Sequence, residues 1–164
     1  MTFAGKVSTA MLALSLTAFA APARAQQNAK PPVARITLEE ARKAVDAAEA
    51  EARKNGWKMV FIVADAEGTP IYLRRMDGVP KQNYDIAMNK VHTVITSGMH
   101  TVDYAAGVKE GTVKPIEGAF TYEGGLLMRR DGNVVGAFSA SGARGDQDAQ
   151  TVKAGLAAIG ISTR

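Results

Sequence analysis

Hydrophobic and polar residues follow two periods along this chain, one helical and one strand-like. A helical period begins after Thr37, with apolar residues every three or four positions, and it ends at Asn55-Gly56. Thr37 and Glu40 have the spacing of a capping box, which predicts a helix start at Thr37. The next segment, Trp57–Ala64, is almost continuously apolar, as is typical of a strand buried on both faces. We therefore expect the folded part to open with a helix and a central strand.

The remaining elements follow from the same two periods. The alternating segment Thr69–Arg75 predicts a hairpin with the preceding strand, and Asp131-Gly132-Asn133 predicts the turn of a second hairpin. The other predicted elements are helices at Asn83–Gly98, at Thr101–Val108 and from Asp146 or Gln147 to about Ile159, and strands at Ala119–Tyr122, Leu126–Arg130 and Val134–Ser141. Hairpins imply an antiparallel sheet, and a strand buried on both faces needs helices on both sides. The pattern therefore predicts an α/β (α+β) chain folded as a three-layer sandwich.

The first 25 residues have the pattern of a secretory signal peptide. Lys6 precedes an uncharged apolar stretch, and Ala23-Arg24-Ala25 places small residues where signal peptidase cleaves. An uncleaved anchor is the alternative, but Pro22 breaks the apolar run before the roughly 20 residues that a spanning helix needs. We expect cleavage after Ala25, a periplasmic or secreted location, and no membrane span afterwards. The predicted organisation is a signal peptide at 1–25, a flexible leader at 26–35 and one domain at 36–164.

Composition narrows the possible chemistry. The 164 residues include no Cys and two His, which excludes disulfides, thiolate metal sites and three-histidine catalytic metal sites. The formal net charge of +4 includes Lys6 and Arg24, which cleavage removes, and no Lys/Arg cluster remains to indicate a nucleic acid partner. Four aspartates stand at turns or helix starts, where Asp usually has a structural role, namely Asp65, Asp77, Asp146 and Asp148. The sequence thus assigns no catalytic residue.

Six segments, in order along the chain, resemble segments of the GlcG/HbpS-like domain family. They are Ile36–Ala41, Val63–Gly68, Arg75–Gly78, Ile86–Val94, Gly124-Gly125 followed by Asp131–Ala137, and the closing pairs Ser141-Gly142 and Gln147-Asp148. No single segment is specific to the family, but the order of all six over about Ile36 to Ile159 is specific to it. The resemblance implies a profilin-like sandwich with a five-stranded antiparallel sheet, a homo-oligomer, and, in the exported branch, binding of haem or a related tetrapyrrole.

The resemblance also directs attention to five candidate ligand-binding residues. His92 is a possible axial ligand of haem iron, and Met88 lies one turn earlier on the same helix face. The alternative is that Met88 belongs to the apolar stripe and His92 makes an ordinary hydrogen bond. Lys90 is either a point charge for a propionate or substrate carboxylate, or a solvated helix lysine. Gly124-Gly125 offers backbone amides for a carboxylate, or it is a simple turn.

These candidates support hypotheses from different classes. The first is an exported small-molecule-binding protein that holds haem by apolar burial, by weak axial ligation through His92 and by Lys/Arg contacts to the propionates. The alternative is a cofactor-independent enzyme or accessory factor for a small oxygenated carboxylic acid in a catabolic pathway. In that case Lys90 and Gly124-Gly125 hold the carboxylate, with His92 as acid or base. A third hypothesis is an interaction module for a sensor or transport partner, with no small ligand.

Overall fold

The computed structural model describes residues 1–2 and 35–162. Nearly all of the predicted signal peptide and of the predicted leader lies outside these described residues. Within 35–162 the helices are α1 (Leu38–Lys54), α2 (Lys81–Ser97), α3 (Thr101–Lys109) and α4 (Gly145–Ala158). The strands are β1 (Val60–Ala64), β2 (Pro70–Arg75), β3 (Gly125–Arg130) and β4 (Asn133–Ser141). None of the helices in this range has both the length and the apolar character needed to cross a membrane.

The strands form one antiparallel sheet in the order β2-β1-β4-β3. Ile62 of β1 lies opposite Leu73 on one side and Ser139 of β4 on the other. All residues of β1 are buried, which confirms the prediction of a central strand covered on both faces.

Neighbouring residues of β4 show that helices cover both faces of the sheet. Phe138 packs against Gly155 of α4, where an added Cβ would lie 2.5 Å from the phenyl ring. The next residue, Ser139, donates to the Ala87 carbonyl of α2 at 2.9 Å. Because successive strand residues point to opposite faces, α4 and α2 lie on opposite sides of the sheet. Helix α1 packs against α4, which confirms the three-layer sandwich.

The sheet has four strands within the described residues, and the expectation of five is wrong in that detail. The predicted strand Ala119–Tyr122 is part of the loop between α3 and β3. Its Phe120 N–H donates to Thr93 Oγ1 of α2 at 2.7 Å. Since a side chain satisfies this amide, it is not available for pairing with a strand.

Local signals set several boundaries as predicted. The Thr37 N–H donates to Glu40 Oε2 at 2.9 Å, and the Glu40 N–H donates to Thr37 Oγ1 at 3.1 Å, which confirms the capping box. Asp131 and Gly132, between β3 and β4, have φ values of +51° and +76°. Positive φ at both central residues is what a type I′ hairpin turn requires. The second predicted hairpin is therefore confirmed.

Candidate functional site

A buried ion pair between α2 and α4 forms the centre of the candidate site. Lys90 Nζ donates to Asp148 Oδ2 at 2.7 Å and to the Ala140 carbonyl at 2.8 Å. The side chains of Lys90 and Asp148 are only 1% and 4% exposed. The second carboxylate oxygen of Asp148 accepts from the Ala143 N–H at 3.0 Å. The pair thereby ties α2 to the end of β4 and to the first turn of α4.

The helical period explains why α2 carries a lysine into the interior. Lys90 lies three residues after Ala87 and four before Val94, and all three are buried. A buried ammonium needs a counter-charge, which Asp148 supplies from the first turn of α4. The alternative that Lys90 is a solvated helix residue is therefore wrong.

Burial changes the acid–base behaviour of both partners. It lowers the pKa of the Lys90 ammonium, against the attraction of Asp148 and of the more distant Glu123. It raises the pKa of the Asp148 carboxyl, against the attraction of Lys90. Both directions favour the neutral forms, so Lys90 holds its proton less firmly than a lysine in water does.

Gly124 is the residue that lets this pair pack. Its φ is +108°, and an added Cβ would lie 2.5 Å from Asp148 Cβ and 2.7 Å from Lys90 Nζ. The neighbouring Gly125 N–H donates to Thr101 Oγ1 at 3.2 Å. That amide is engaged within the fold, so the structure does not leave it free to bind a carboxylate.

A cavity of about 390 Å³ adjoins Lys90, and we call it the lysine cavity. Its apolar lining includes Ile86, Phe120 and Ala143, and its polar lining includes Asn83, Ser141 and Arg144. Lys90 Nζ lies 5.9 Å from the centre of the Phe120 ring, within the range of a cation–π contact. Although polar residues contribute to the lining, most of the surface that faces the cavity is apolar.

Met88 and His92 line a different cavity, of about 230 Å³, which we call the histidine cavity. His92 Nε2 lies 3.2 Å from the Glu117 carbonyl, and because a carbonyl only accepts, this nitrogen carries the proton. Positions two residues apart on a helix differ by about 200° around its axis. Lys90 and His92 therefore face opposite sides of α2, and the predicted candidates divide between two sites.

His100, the other histidine, is tied to β3. Its Nδ1 accepts from the Leu127 N–H at 2.9 Å, so the proton of the neutral ring lies on Nε2. In this arrangement Nε2 has no lone pair for an axial bond. Within the described residues no group of three or more His, Asp or Glu side chains is placed to hold a metal ion.

Asp148 is the residue of the candidate site that sequence reasoning missed. The sequence predicts only a turn or cap role for it, and its partner Lys90 lies 58 positions away. The sequence signal that could have indicated a partner lies at Lys90, because Lys90 falls on the buried stripe of its helix. A charge on that stripe predicts a buried partner without identifying it.

Comparisons with known proteins agree with this fold. The profile of a family described as "Haem degrading protein HbpS-like" matches residues 36–157. An uncharacterized 15.0 kDa protein from the dhaT-dhaS intergenic region of Citrobacter freundii is 30% identical over 122 residues, covering 71% of this chain and 86% of that protein.

Two solved structures extend the comparison. A double mutant of HbpS from Streptomyces reticuli is 33% identical, with a TM-score of 0.72, over 86% of this chain and 98% of that chain. A PduOC:heme complex superposes with a TM-score of 0.74 over 80% of this chain and 99% of that chain. The latter is 23% identical, so its likeness concerns the fold alone.

Proposed function

This chain belongs to the HbpS-like family of haem degrading proteins, and from that premise we propose that it binds haem or a related tetrapyrrole. The family match over residues 36–157 is the observation that carries the proposal. A protein with the same fold has been solved as a heme complex, which supports the same ligand class.

We propose His92 as the axial ligand on the histidine side of α2. Neutral imidazole is a common ligand of haem iron, and Met88 offers an adjoining apolar contact. Binding through Nε2 requires that His92 give up its contact to the Glu117 carbonyl and carry its proton on Nδ1 instead, which lies 3.4 Å from Thr96 Oγ1. His92 is exposed, so this exchange needs no opening of the core.

The histidine cavity is smaller than a tetrapyrrole macrocycle. At about 230 Å³, it lies below the roughly 300–1,000 Å³ typical of small-molecule pockets, so it receives only an edge of the ring. We propose that a second copy of this chain covers the exposed part of the macrocycle, in line with the expected homo-oligomer. Lys90 faces away from this site and is paired with Asp148, so other cations would have to contact the propionates.

Titration with hemin tests the proposal. The chain from Gln26 onward should show a saturable Soret shift, and His92→Ala should weaken it at least several-fold. His100→Ala is the matched control, because His100 is committed to the Leu127 N–H, and it should bind hemin like the parent chain. Saturable binding that His92→Ala leaves unchanged would move the site elsewhere. Only non-saturable association would refute haem binding itself.

The enzyme hypothesis for a small carboxylic acid meets a geometric obstacle. It needs His92 as acid or base beside a carboxylate held by Lys90. The two residues line separate cavities on opposite sides of α2. Within one chain, His92 therefore cannot serve a molecule that Lys90 holds, and haem binding is the function that we favour.

Export is the second part of the proposal, and it depends on the predicted cleavage after Ala25. Fractionation of cells that express the full chain should place the protein in the periplasm or medium, with Gln26 as its first residue. Recovery of the full-length chain in the membrane fraction would instead indicate the uncleaved anchor.

A further inference from the structure

We propose that the lysine cavity binds a small aldehyde or ketone and that Lys90 condenses with it to form an imine. The site lies on the opposite side of α2 from His92, so it is independent of the proposed haem site. Three features carry the inference: a buried amine at a cavity, a carboxylate in contact with that amine, and a largely apolar lining.

The amine has a donor position to spare. An ammonium carries three N–H groups, and Asp148 Oδ2 and the Ala140 carbonyl accept two of them. Lys90 itself lines the cavity, and we assign the third position to a bound molecule there. Because Lys90 is 1% exposed, bulk water competes little for this position.

The charges around the cavity favour a neutral carbonyl compound over a carboxylate. Asp148 already neutralises Lys90, and Glu123 adds a further negative charge nearby. Arg144 at the lining is paired with Asp146 at 2.8 Å. A carboxylate ligand would bring an additional negative charge beside Asp148, whereas an aldehyde or ketone brings none. Ile86, Phe120 and Ala143 provide apolar surface for its hydrocarbon part.

The neighbouring carboxylate supplies the proton transfers that condensation needs. The Lys90 ammonium passes a proton to Asp148 Oδ2 across the 2.7 Å contact. Rotation about the Cε–Nζ bond then turns the freed lone pair of nitrogen toward the carbonyl carbon, which it attacks. The carbonyl oxygen takes that proton and becomes the hydroxyl of a carbinolamine. Asp148 then removes a proton from nitrogen and returns it to the departing hydroxyl.

The products are one water molecule and a protonated imine, so atoms and charge balance without an oxidant or reductant. The remaining N–H of the iminium still faces Asp148, which preserves the buried ion pair. Burial, which lowers the pKa of Lys90 and raises that of Asp148, favours the first proton transfer.

Reductive trapping tests the inference directly. The folded full chain is incubated with butyraldehyde and cyanoborohydride near neutral pH, digested, and analysed by mass spectrometry for butylated lysines. Lys81 is the matched control, because it lies on the same helix and contacts Asp85 at the same 2.7 Å but is exposed. Lys90 should be labelled several-fold faster than Lys81, because the lysine cavity holds the aldehyde beside its amine. Labelling of Lys90 should also saturate with aldehyde concentration.

A cavity-filling variant separates a binding site from a merely reactive amine. Ala143→Phe places a ring in the lysine cavity and leaves the Ala143 N–H bond to Asp148 in place. It should reduce labelling of Lys90 at least several-fold and leave Lys81 unchanged, with folding checked by circular dichroism. Ile86→Phe serves the same purpose if the first variant misfolds. Labelling of Lys90 no faster than Lys81, or unaffected by the filled cavity, would overturn the inference.

Discussion

Helix α2 makes two ion pairs of equal length in opposite environments. Lys81 contacts Asp85 at 2.7 Å one turn along the same helix, with side chains 77% and 49% exposed. Lys90 contacts Asp148 at 2.7 Å on a different helix, with side chains 1% and 4% exposed. The two ion pairs therefore have different roles although their N–O distances are equal. The exposed pair is local and surrounded by water, whereas the buried pair joins two layers of the sandwich.

The comparison teaches that an ion pair's environment decides what its loss costs. In water, two partners lose little when separated, because solvent replaces each contact. In the interior, removing one partner strands the other without a counter-charge. Substitutions in the buried pair should therefore cost far more stability than substitutions in the exposed pair.

Removing the buried lysine should produce the largest loss. Lys90→Met leaves the Asp148 carboxylate buried without its counter-charge, and we expect a loss of about 3–5 kcal/mol in the free energy of unfolding. Urea denaturation near neutral pH measures this change. The matched variant Lys81→Met should change stability by less than about 0.5 kcal/mol. Equal losses in the two variants would contradict the contrast.

Replacing both buried partners should restore much of that stability. With Lys90→Met and Asp148→Leu combined, no buried charge remains, and we expect the double variant within about 1–2 kcal/mol of the parent. The residual cost arises because the Ala143 N–H loses its acceptor, which costs roughly 1–3 kcal/mol for a buried donor and less where water reaches it. A double variant no more stable than Lys90→Met would show that the ion pair stabilises the fold more than apolar side chains do at the same two positions.

The same contrast shows what can be predicted from sequence. The Thr37 capping box and the hairpin turn at Asp131-Gly132 depend on residues next to each other, so local rules predict them. The pairing of Lys90 with Asp148 depends on two elements meeting across the sheet, which no local pattern specifies. The fold class was therefore predictable, whereas the partner of Lys90 and the division between two cavities were not.

A methyl group at Gly124 should disturb the buried pair without removing either charge. At φ +108° an alanine is strained, and its Cβ would lie 2.5 Å from Asp148 Cβ. Backbone strain of this kind costs about 1–3 kcal/mol, and the clash adds to it. Gly132→Ala is the control, because Gly132 has φ +76° but nothing within 4 Å of its added Cβ. Thermal unfolding should show a larger loss of stability for Gly124→Ala than for Gly132→Ala. Similar losses would mean that backbone strain alone, without the clash at Asp148, accounts for the effect.

The pKa of Glu40, a partly exposed carboxylate at the start of α1, is shifted in the opposite direction from that of Asp148. This shift should make the stability of the protein depend on pH. Burial raises the pKa of Asp148, whereas the hydrogen bond from the Thr37 N–H, with help from Arg130, lowers the pKa of Glu40 below its ordinary 4.5. A lowered folded pKa contributes stability that is present above the unfolded value and lost as pH falls through the folded one. Glu40→Gln should therefore cost about 0.5–1 kcal/mol at neutral pH.

That cost should shrink as the pH falls below 4.5, because the parent then loses the charge that the variant lacks. Urea unfolding of both proteins from neutral pH down to about pH 3 measures the difference, with denaturation confirmed to be reversible. A difference that stays constant over this range would show that the neutral hydrogen bond from Thr37, rather than the charge of Glu40, stabilises the start of the helix.

Substitutions in the exposed pair, Lys81 and Asp85, should change stability least. The changes at the two residues should have opposite signs. Lys81 is the first residue of α2, where a positive charge opposes the helix dipole, and it precedes Asp85 in the less favourable order for an i,i+4 pair. Lys81→Ala should therefore leave stability unchanged or raise it by up to about 0.3 kcal/mol, whereas Asp85→Asn should lower it by about 0.3–0.5 kcal/mol. Both effects should fade in 1 M salt, since the charges are exposed. A loss above about 1 kcal/mol for Lys81→Ala would mean that exposure does not explain the difference between the two pairs.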